Sequence, residues 1–429
     1  MAPPKGGFAP NLDKFLDSLK SRPVDASVEN LISLIKRRQI QGSEACAIAT
    51  ARVLLQVVAR DKWADVDQLV GRVQLVGKKL VAAQPRELVI GNIVRRVLGL
   101  IRDEASEDRN ENESASQSFA DIRDAESSVP PSPVGKNSSR PPMFNTRTQS
   151  MYNLLSDPDS NGAHWSGITT PGYGSGTSTP LAQAQSTNVS ALKSEIIDGI
   201  EEIMDEIRQV DEQILAYSEI VIHPGEYILV HQPSRTVQKF LARAATKRKF
   251  TVFLAVDPSS STASVDEDLY APLRKAMASS GGTLVTVMNT GFMAYMSMVN
   301  KVIIGARAIT AKGGVLVDSG AAVIARAAHA LGRPVIVLAG VYKLSPESQF
   351  NQEAIIEWGT PSKYVSFSDG TLVKSVGIKN AVSEFVPGEL VDSYITNLGA
   401  HSRDHLHSII SDHYKEEDMS FDFWGKVQR

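Results

Sequence analysis

The chain has 429 residues, a formal net charge of −3 and a pI near 6.3, a balance that argues against wholesale nucleic-acid binding. Its one cysteine, Cys46, has no second thiol to pair with, which excludes a cysteine-based zinc cluster and suits a reducing compartment. No apolar run approaches the roughly 18–20 residues of a membrane span, and the first residues lack a signal-peptide core, so a cytosolic protein of two or three domains is expected.

Residues 11–103 read as helices only and predict a compact α-helical domain. Leu31, Ile32, Leu34 and Ile35 precede the basic run Lys36-Arg37-Arg38. Ala45 to Val58 is an alanine-rich apolar helix, and Val66 to Leu80 repeats the pattern through Leu69, Val73, Val76 and Leu80. A last helix is expected to open at Gln84-Pro85 and to carry Ile90, Ile93, Val94, Val97, Leu98 and Ile101 as one stripe. Residues 104–187 are rich in Ser, Pro, Gly and Asp, too poor in apolar area to offset ordering entropy, and predict a disordered linker.

Order is expected to resume with a long connecting helix over residues 188–217. Ile196, Ile200, Ile203, Ile207, Val210 and Ile214 alternate steps of four and three and form one seam. Glu195, Asp198, Glu202 and Asp205 fall on the opposite face. Two readings stay open for that face: an ordinary solvated surface, or a contact strip for a basic partner.

Residues 218–429 predict a doubly wound, mainly parallel sheet of the Rossmann-like α/β class. Tyr227 to Val230, Thr251 to Val256 and Thr283 to Val287 read as strands with helices between them. The stretch from Lys301 to Pro346 reads as one β-α-β crossover, its strands apolar at every position, as in parallel strands buried on both faces. Pro387-Gly388-Glu389 is expected to begin a terminal helical region reaching Trp424.

The candidates for chemistry are few. Ser234-Arg235-Thr236, where the first strand feeds its helix, is either a candidate anion site or a plain helix cap. Neither glycine-rich phosphate loop of the familiar kinds is present, so no nucleotide cofactor is expected. Lys247-Arg248-Lys249 reads as a solvated helix end. His401 and His405, spaced as one helical turn, lack a third ligand of fixed spacing, so no metal site is assigned.

Several phrases carry a resemblance. They are Val299 to Gly305 (VNKVIIG), Lys343 to Pro346 (KLSP), Ser234 to Phe250, Ala82 to Leu98 and Phe385 to Gly399. The chain resembles the family that unites the regulatory subunits of eukaryotic translation initiation factor 2B with isomerases of methylthioribose 1-phosphate and ribose 1,5-bisphosphate. Within it, the phrases are most similar to the beta-subunit branch. In the isomerases a cysteine follows the first strand, and an aspartate stands two residues after the glycine that ends a later strand. The matching positions here are Gln232 and Arg307. Neither side chain serves as an acid or base at neutral pH, and a proton shift between sugar carbons needs such a pair. Asp318 also stands where the isomerases carry a lysine.

The resemblance implies a non-catalytic, regulatory subunit of the guanine-nucleotide exchange complex for initiation factor 2. It implies direct pairing with the delta subunit, and assembly with the alpha, gamma and epsilon subunits. Contact with the alpha subunit of initiation factor 2, whose phosphorylation the complex senses, is also implied. The alternative is a sugar-phosphate isomerase, or a sensor that binds a sugar phosphate or nucleotide without turnover. No membrane and no direct nucleic-acid contact is expected.

Overall fold

The computed structural model describes residues 12–125, 180–256, 263–347, 356–359, 370 and 377–419. The chain divides into two compact units, residues 1–107 together with 189–429, and residues 108–188. The helical region and the α/β region, expected as separate domains, thus form one unit. The reason is a shared core, described below.

The N-terminal region is built from α1 (Leu12–Ser18), α2 (Val24–Lys36), α3 (Ser43–Arg60), α4 (Val66–Ala83) and α5 (Leu88–Ala125). The stripe Ile90, Ile93, Val94, Val97, Leu98 and Ile101 is completely buried. Pro85 lies just before α5, in a turn closed by Glu87 N–H on the Gln84 carbonyl, a place that suits its fixed φ. α5 does not stop near residue 103 but continues to Ala125. Neither proline nor glycine interrupts the sequence from Leu100 to Val129, so helix propensity carries it past the end of its apolar stripe. α6 (Pro180–Leu215) likewise starts before residue 188. Both ends of the 104–187 stretch are therefore helical, and residues 126–179 of it lie outside the described residues.

After α7 (Ser218–Val221) the α/β region runs β1 (Tyr227–His231), α8 (Arg235–Ala245), β2 (Thr251–Val256), α9 (Ala263–Ser280), β3 (Thr283–Met288), α10 (Met293–Met296) and β4 (Lys301–Gly305). Then come β5 (Ala308–Thr310), β6 (Val315–Asp318), α11 (Ala321–Ala330) and β7 (Val335–Leu338). The short strands β8 (Leu344–Ser345), β9 (Trp358–Gly359), β10 (Asn380–Ala381) and β11 (Ser383–Val386) precede β12 (Ser393–Thr396) and β13 (Gly399–His401). The main sheet has the order β13-β12-β7-β4-β1-β2-β3, parallel throughout except for the antiparallel edge strand β13.

Two local expectations need correction. The β4-to-β7 crossover is not a single β-α-β unit, because β5 and β6 leave the main sheet as a hairpin whose turn holds the Gly313-Gly314 pair. With β11 and β8 they form a second sheet, in the order β11-β6-β5-β8. The segment after Pro387 is also not helical at first. It makes one 3-10 turn, Gly388–Leu390, and then the β12–β13 hairpin, and among the described residues beyond it only Leu406–His413 and Glu416–Met419 are α-helical. Trp424 lies outside the described residues.

The core explains the single unit. Ile228 and Val230 of β1 join Val252, Leu254 and Ile303 in one apolar cluster with α2 to α6 and α8. Leu229, Val302 and Ile304, pointing to the opposite sheet face, join α11 and the helix Leu406–His413. The α6 seam from Ile196 to Ile214 is buried within the first cluster. α6 therefore belongs to the core on one side, and its acidic side faces outward. Polar ties cross the same boundary: Asn92 donates to the Tyr342 carbonyl at 3.1 Å, and buried Arg95 meets Glu347 at 3.1 Å.

Candidate functional site

In an open parallel sheet, ligands collect where the strand order reverses, beyond the carboxyl ends of the strands. That point lies between β1 and β4, because the chain winds outward from β1 to β3 and then returns to place β4 on the other side of β1. A cavity of about 540 Å³ occupies this position. The helical region lines it with Arg38, Ser43, Cys46, Gln84 and Glu87, and the α/β region with Ala306, Arg307, Asp318, Lys343 and Glu357. Gly305 ends β4 here, and a Cβ on it would lie 2.7 Å from the Ser234 hydroxyl, so only glycine lets the α8 entrance approach so closely.

The cavity is heavily charged but internally balanced. Arg307 contacts the Asp318 carboxylate through Nη2 at 2.6 Å and Nε at 2.8 Å, and reaches Glu357 through Nη1 at 3.0 Å. Arg38 closes on the same Glu357 from the helical side. Lys343 is buried, donates to the Ala306 carbonyl at 3.0 Å, and burial pushes its ammonium below the usual lysine range. Burial pushes the Glu87 carboxyl upward, against the attraction of Arg307 and Lys343. The Cys46 thiol is also pushed well up by burial, with the nearby Glu87 adding to it, which keeps it an unreactive thiol. Three cations, Arg38, Arg307 and Lys343, thus face three carboxyls, Glu87, Asp318 and Glu357.

The structure brings some of the sequence candidates together here and disperses others. Arg307 lines the cavity, and Gln232 lines an adjoining cleft, held at the unusual φ of 37° just after β1. Ser234 caps α8 by accepting from Val237 N–H at 3.4 Å. Thr236 donates to Asp211 at 2.7 Å, and Arg235 is exposed. In the basic run, Lys247 pairs with Glu219 at 2.7 Å and Arg248 donates to the Ile222 carbonyl. Glu195, Asp198, Glu202 and Asp205 are all exposed on α6, and Asp205 pairs with Arg208 at 2.6 Å. His401 ends β13 and His405 sits in the following 3-10 turn, so they are not spaced as on one helix, although their rings stack at 5.4 Å. Among the described residues no group of three or more His, Cys, Asp or Glu is placed to hold a metal.

Sequence reasoning did not single out Arg38, Glu87, Lys343 or Glu357 as cavity residues. Arg38 was visible only within a basic run, and Glu87 and Lys343 only within family phrases, while Glu357 carried no local signal.

The sequence profile of the Initiation factor 2 subunit family matches residues 39–402, a span that includes every cavity residue except Ile35 and Arg38. The chain belongs to the Initiation factor 2 subunit family. It is 35% identical to the translation initiation factor eIF2B subunit beta of Schizosaccharomyces pombe over 398 residues, covering 91% of this chain and 96% of that one. A crystal structure of eIF2B beta from Chaetomium thermophilum matches with a TM-score of 0.68 and 42% identity, over 96% of this chain and 99% of the other. The tetrameric eIF2B-beta2-delta2 complex from C. thermophilum gives a TM-score of 0.65 and 39% identity, over 94% of this chain and all of the matched one. The likeness to the family thus spans the helical and α/β regions together. No helix among the described residues is long and apolar enough to cross a membrane.

Proposed function

We propose that the chain is a regulatory, non-catalytic subunit of the guanine-nucleotide exchange complex for translation initiation factor 2, corresponding to its beta subunit. The observation that carries the reading is the near-full-length similarity to beta subunits of two fungi, one of them also seen in a complex of beta with delta. On this reading the chain pairs directly with delta and assembles with alpha, gamma and epsilon. It scaffolds the complex in the cytosol and helps sense phosphorylation of the alpha subunit of initiation factor 2. The exposed strip Glu195, Asp198, Glu202 and Asp205 is the proposed contact for that factor.

The cavity supports the non-catalytic part. Gln232 and Arg307 occupy the two positions matching the isomerase acid/base pair, and Arg307 is held by two carboxylates. An internally balanced cavity offers little net attraction to a doubly charged sugar phosphate. With Ser234 committed to its cap and Thr236 to Asp211, the vestigial anion site at Ser234, Arg235 and Thr236 keeps only the Arg235 guanidinium.

The deciding experiment is native mass spectrometry of the tagged chain, purified gently from its own cells. A hetero-oligomer holding two copies of this chain with four other subunit types is expected. A homodimer without partners overturns the reading.

A further inference from the structure

A second cleft, of about 620 Å³, opens between α8 and α9 and shares only Ser234, Leu269 and Asp318 with the central cavity. Its walls are apolar, made by Pro233, Ala242, Tyr270, Pro272 and Leu273. Leu269 stands over it with 55% of its surface exposed. Its rim on the α8 side is cationic. Arg235 and Lys239 line the mouth, and Arg243, one further turn along α8, continues the same row at a spacing of four. Lys239 is met by Asp211 at 2.7 Å. Arg235 and Arg243 are exposed, with no carboxylate among the described residues at ion-pair distance.

We infer that the α8–α9 cleft docks an extended acidic segment of a partner protein, seating an aliphatic or aromatic side chain beside Leu269 and setting carboxylates on Arg235 and Arg243. Two features argue for a peptide. An apolar cleft rimmed by polar groups marks an interaction site, and the exposed guanidiniums of Arg235 and Arg243 set the sign of what it attracts. Arg235 and Arg243 are eight positions apart, about 12 Å along the helix, so one small anion does not reach both, whereas an extended chain of four residues does. The inference goes beyond the assembly reading and does not rest on it.

The test uses the full chain as purified from its own cells. Fluorescence anisotropy would follow binding of a fluorescein-labelled dodecapeptide that alternates aspartate with leucine and phenylalanine. A matched peptide with lysine in place of aspartate is the control. Saturable binding of the acidic peptide that weakens as salt rises is expected. The double substitution Arg235→Glu with Arg243→Glu should weaken it by about tenfold or more, the size of loss seen when charges across an interface are set in opposition. Leu269→Gln should weaken it by about threefold through the lost apolar contact. All three side chains are exposed, so both variants should melt like the parent. Equal binding of the lysine peptide, or affinity unchanged in both variants, overturns the proposal. So does displacement of the peptide by equimolar octanoate, which would assign the cleft to a small amphiphile.

Discussion

Arg307, on the loop that leaves β4, lays its guanidinium on the carboxylate of Asp318 at the end of β6, with Nη2 and Nε at 2.6 and 2.8 Å from one oxygen. A guanidinium held this way stays charged and accepts no proton. The purified protein is therefore expected to leave ribose 1,5-bisphosphate and methylthioribose 1-phosphate unchanged when followed by phosphorus NMR. Appearance of a ketose phosphate above the uncatalysed rate would defeat the non-catalytic reading.

The same guanidinium is one of two cations on Glu357, whose side chain is only 4% exposed. Removing it in Arg307→Ala leaves that carboxylate with Arg38 and the Gln84 amide, and Asp318 without its pair. A buried pair broken from one side costs roughly 3–5 kcal/mol, but Arg307 is a third exposed and Arg38 remains, so a loss of about 1–2 kcal/mol is expected. Urea unfolding of the whole assembly should show a lower midpoint at unchanged slope. A midpoint equal to the parent's would mean that solvent already screens the pair.

The parts of the fold legible in the sequence are those where one local pattern had one outcome. The inner stretches of β1, β2, β4 and β7 (228–230, 252–255, 302–304 and 335–338) are apolar throughout because both sheet faces are covered, and the α6 seam is unbroken because a core lies under it. The second sheet escaped notice because β5, β6, β8 and β11 have two to four residues each and, apart from the β5–β6 hairpin, pair across long separations. Pro387-Gly388 signalled a turn correctly, but a turn does not say whether helix or strand follows it. Of the cavity residues, Arg307 and Asp318 were legible through family resemblance and Ser234 as a candidate cap or anion site, while Gln232 lines the adjoining cleft. Glu357 lies 50 positions from Arg307, and no local spacing announces that their charges meet.

Gly340 ties the long helix to the end of β7. A Cβ there would lie 2.6 Å from Val210 on the α6 seam and 2.6 Å from the Tyr342 ring. Both neighbours are buried, so neither can swing away freely. Gly340→Ala is expected to cost about 1–3 kcal/mol, the usual penalty of overpacking. Thermal melting checks it, and Val210→Ala in the same chain should recover part of the loss by opening the space. No recovery would place the strain elsewhere.

Glu104 on α5 faces Glu195 on α6, and burial together with Glu107, Glu195 and Asp103 raises its carboxyl above the ordinary value of 4.5. The folded state thus prefers the protonated form. Stability from this group is fully present below about pH 4.5 and is lost as pH rises through the raised value. Glu104→Gln should therefore be the more stable form at neutral pH, by about 0.5 kcal/mol as for a like-charge pair on a helix surface. The gap should close on acidification below that value and shrink in high salt. Melting curves across pH and salt would show it, and a pH-independent gap would refute the electrostatic cause.

The last prediction concerns the outward face of α6. The helix is fixed on its inner side by the buried seam from Ile196 to Ile214, and Arg96 grips Glu206 at 2.7 Å near the edge of that seam. Asp198 and Glu202 are both exposed on α6, so they can be changed without disturbing its buried seam. Asp198→Lys with Glu202→Lys reverses two adjacent charges on one face, a change that acts mainly on charge complementarity with a partner. The variant is expected to bind initiation factor 2 at least about tenfold more weakly, as a reversal across a steered interface does. Native mass spectrometry should still find the subunit composition of the parent. If binding by surface plasmon resonance is unchanged while the assembly is intact, the strip is only a solvated face. If the assembly itself falls apart, the strip serves subunit packing instead.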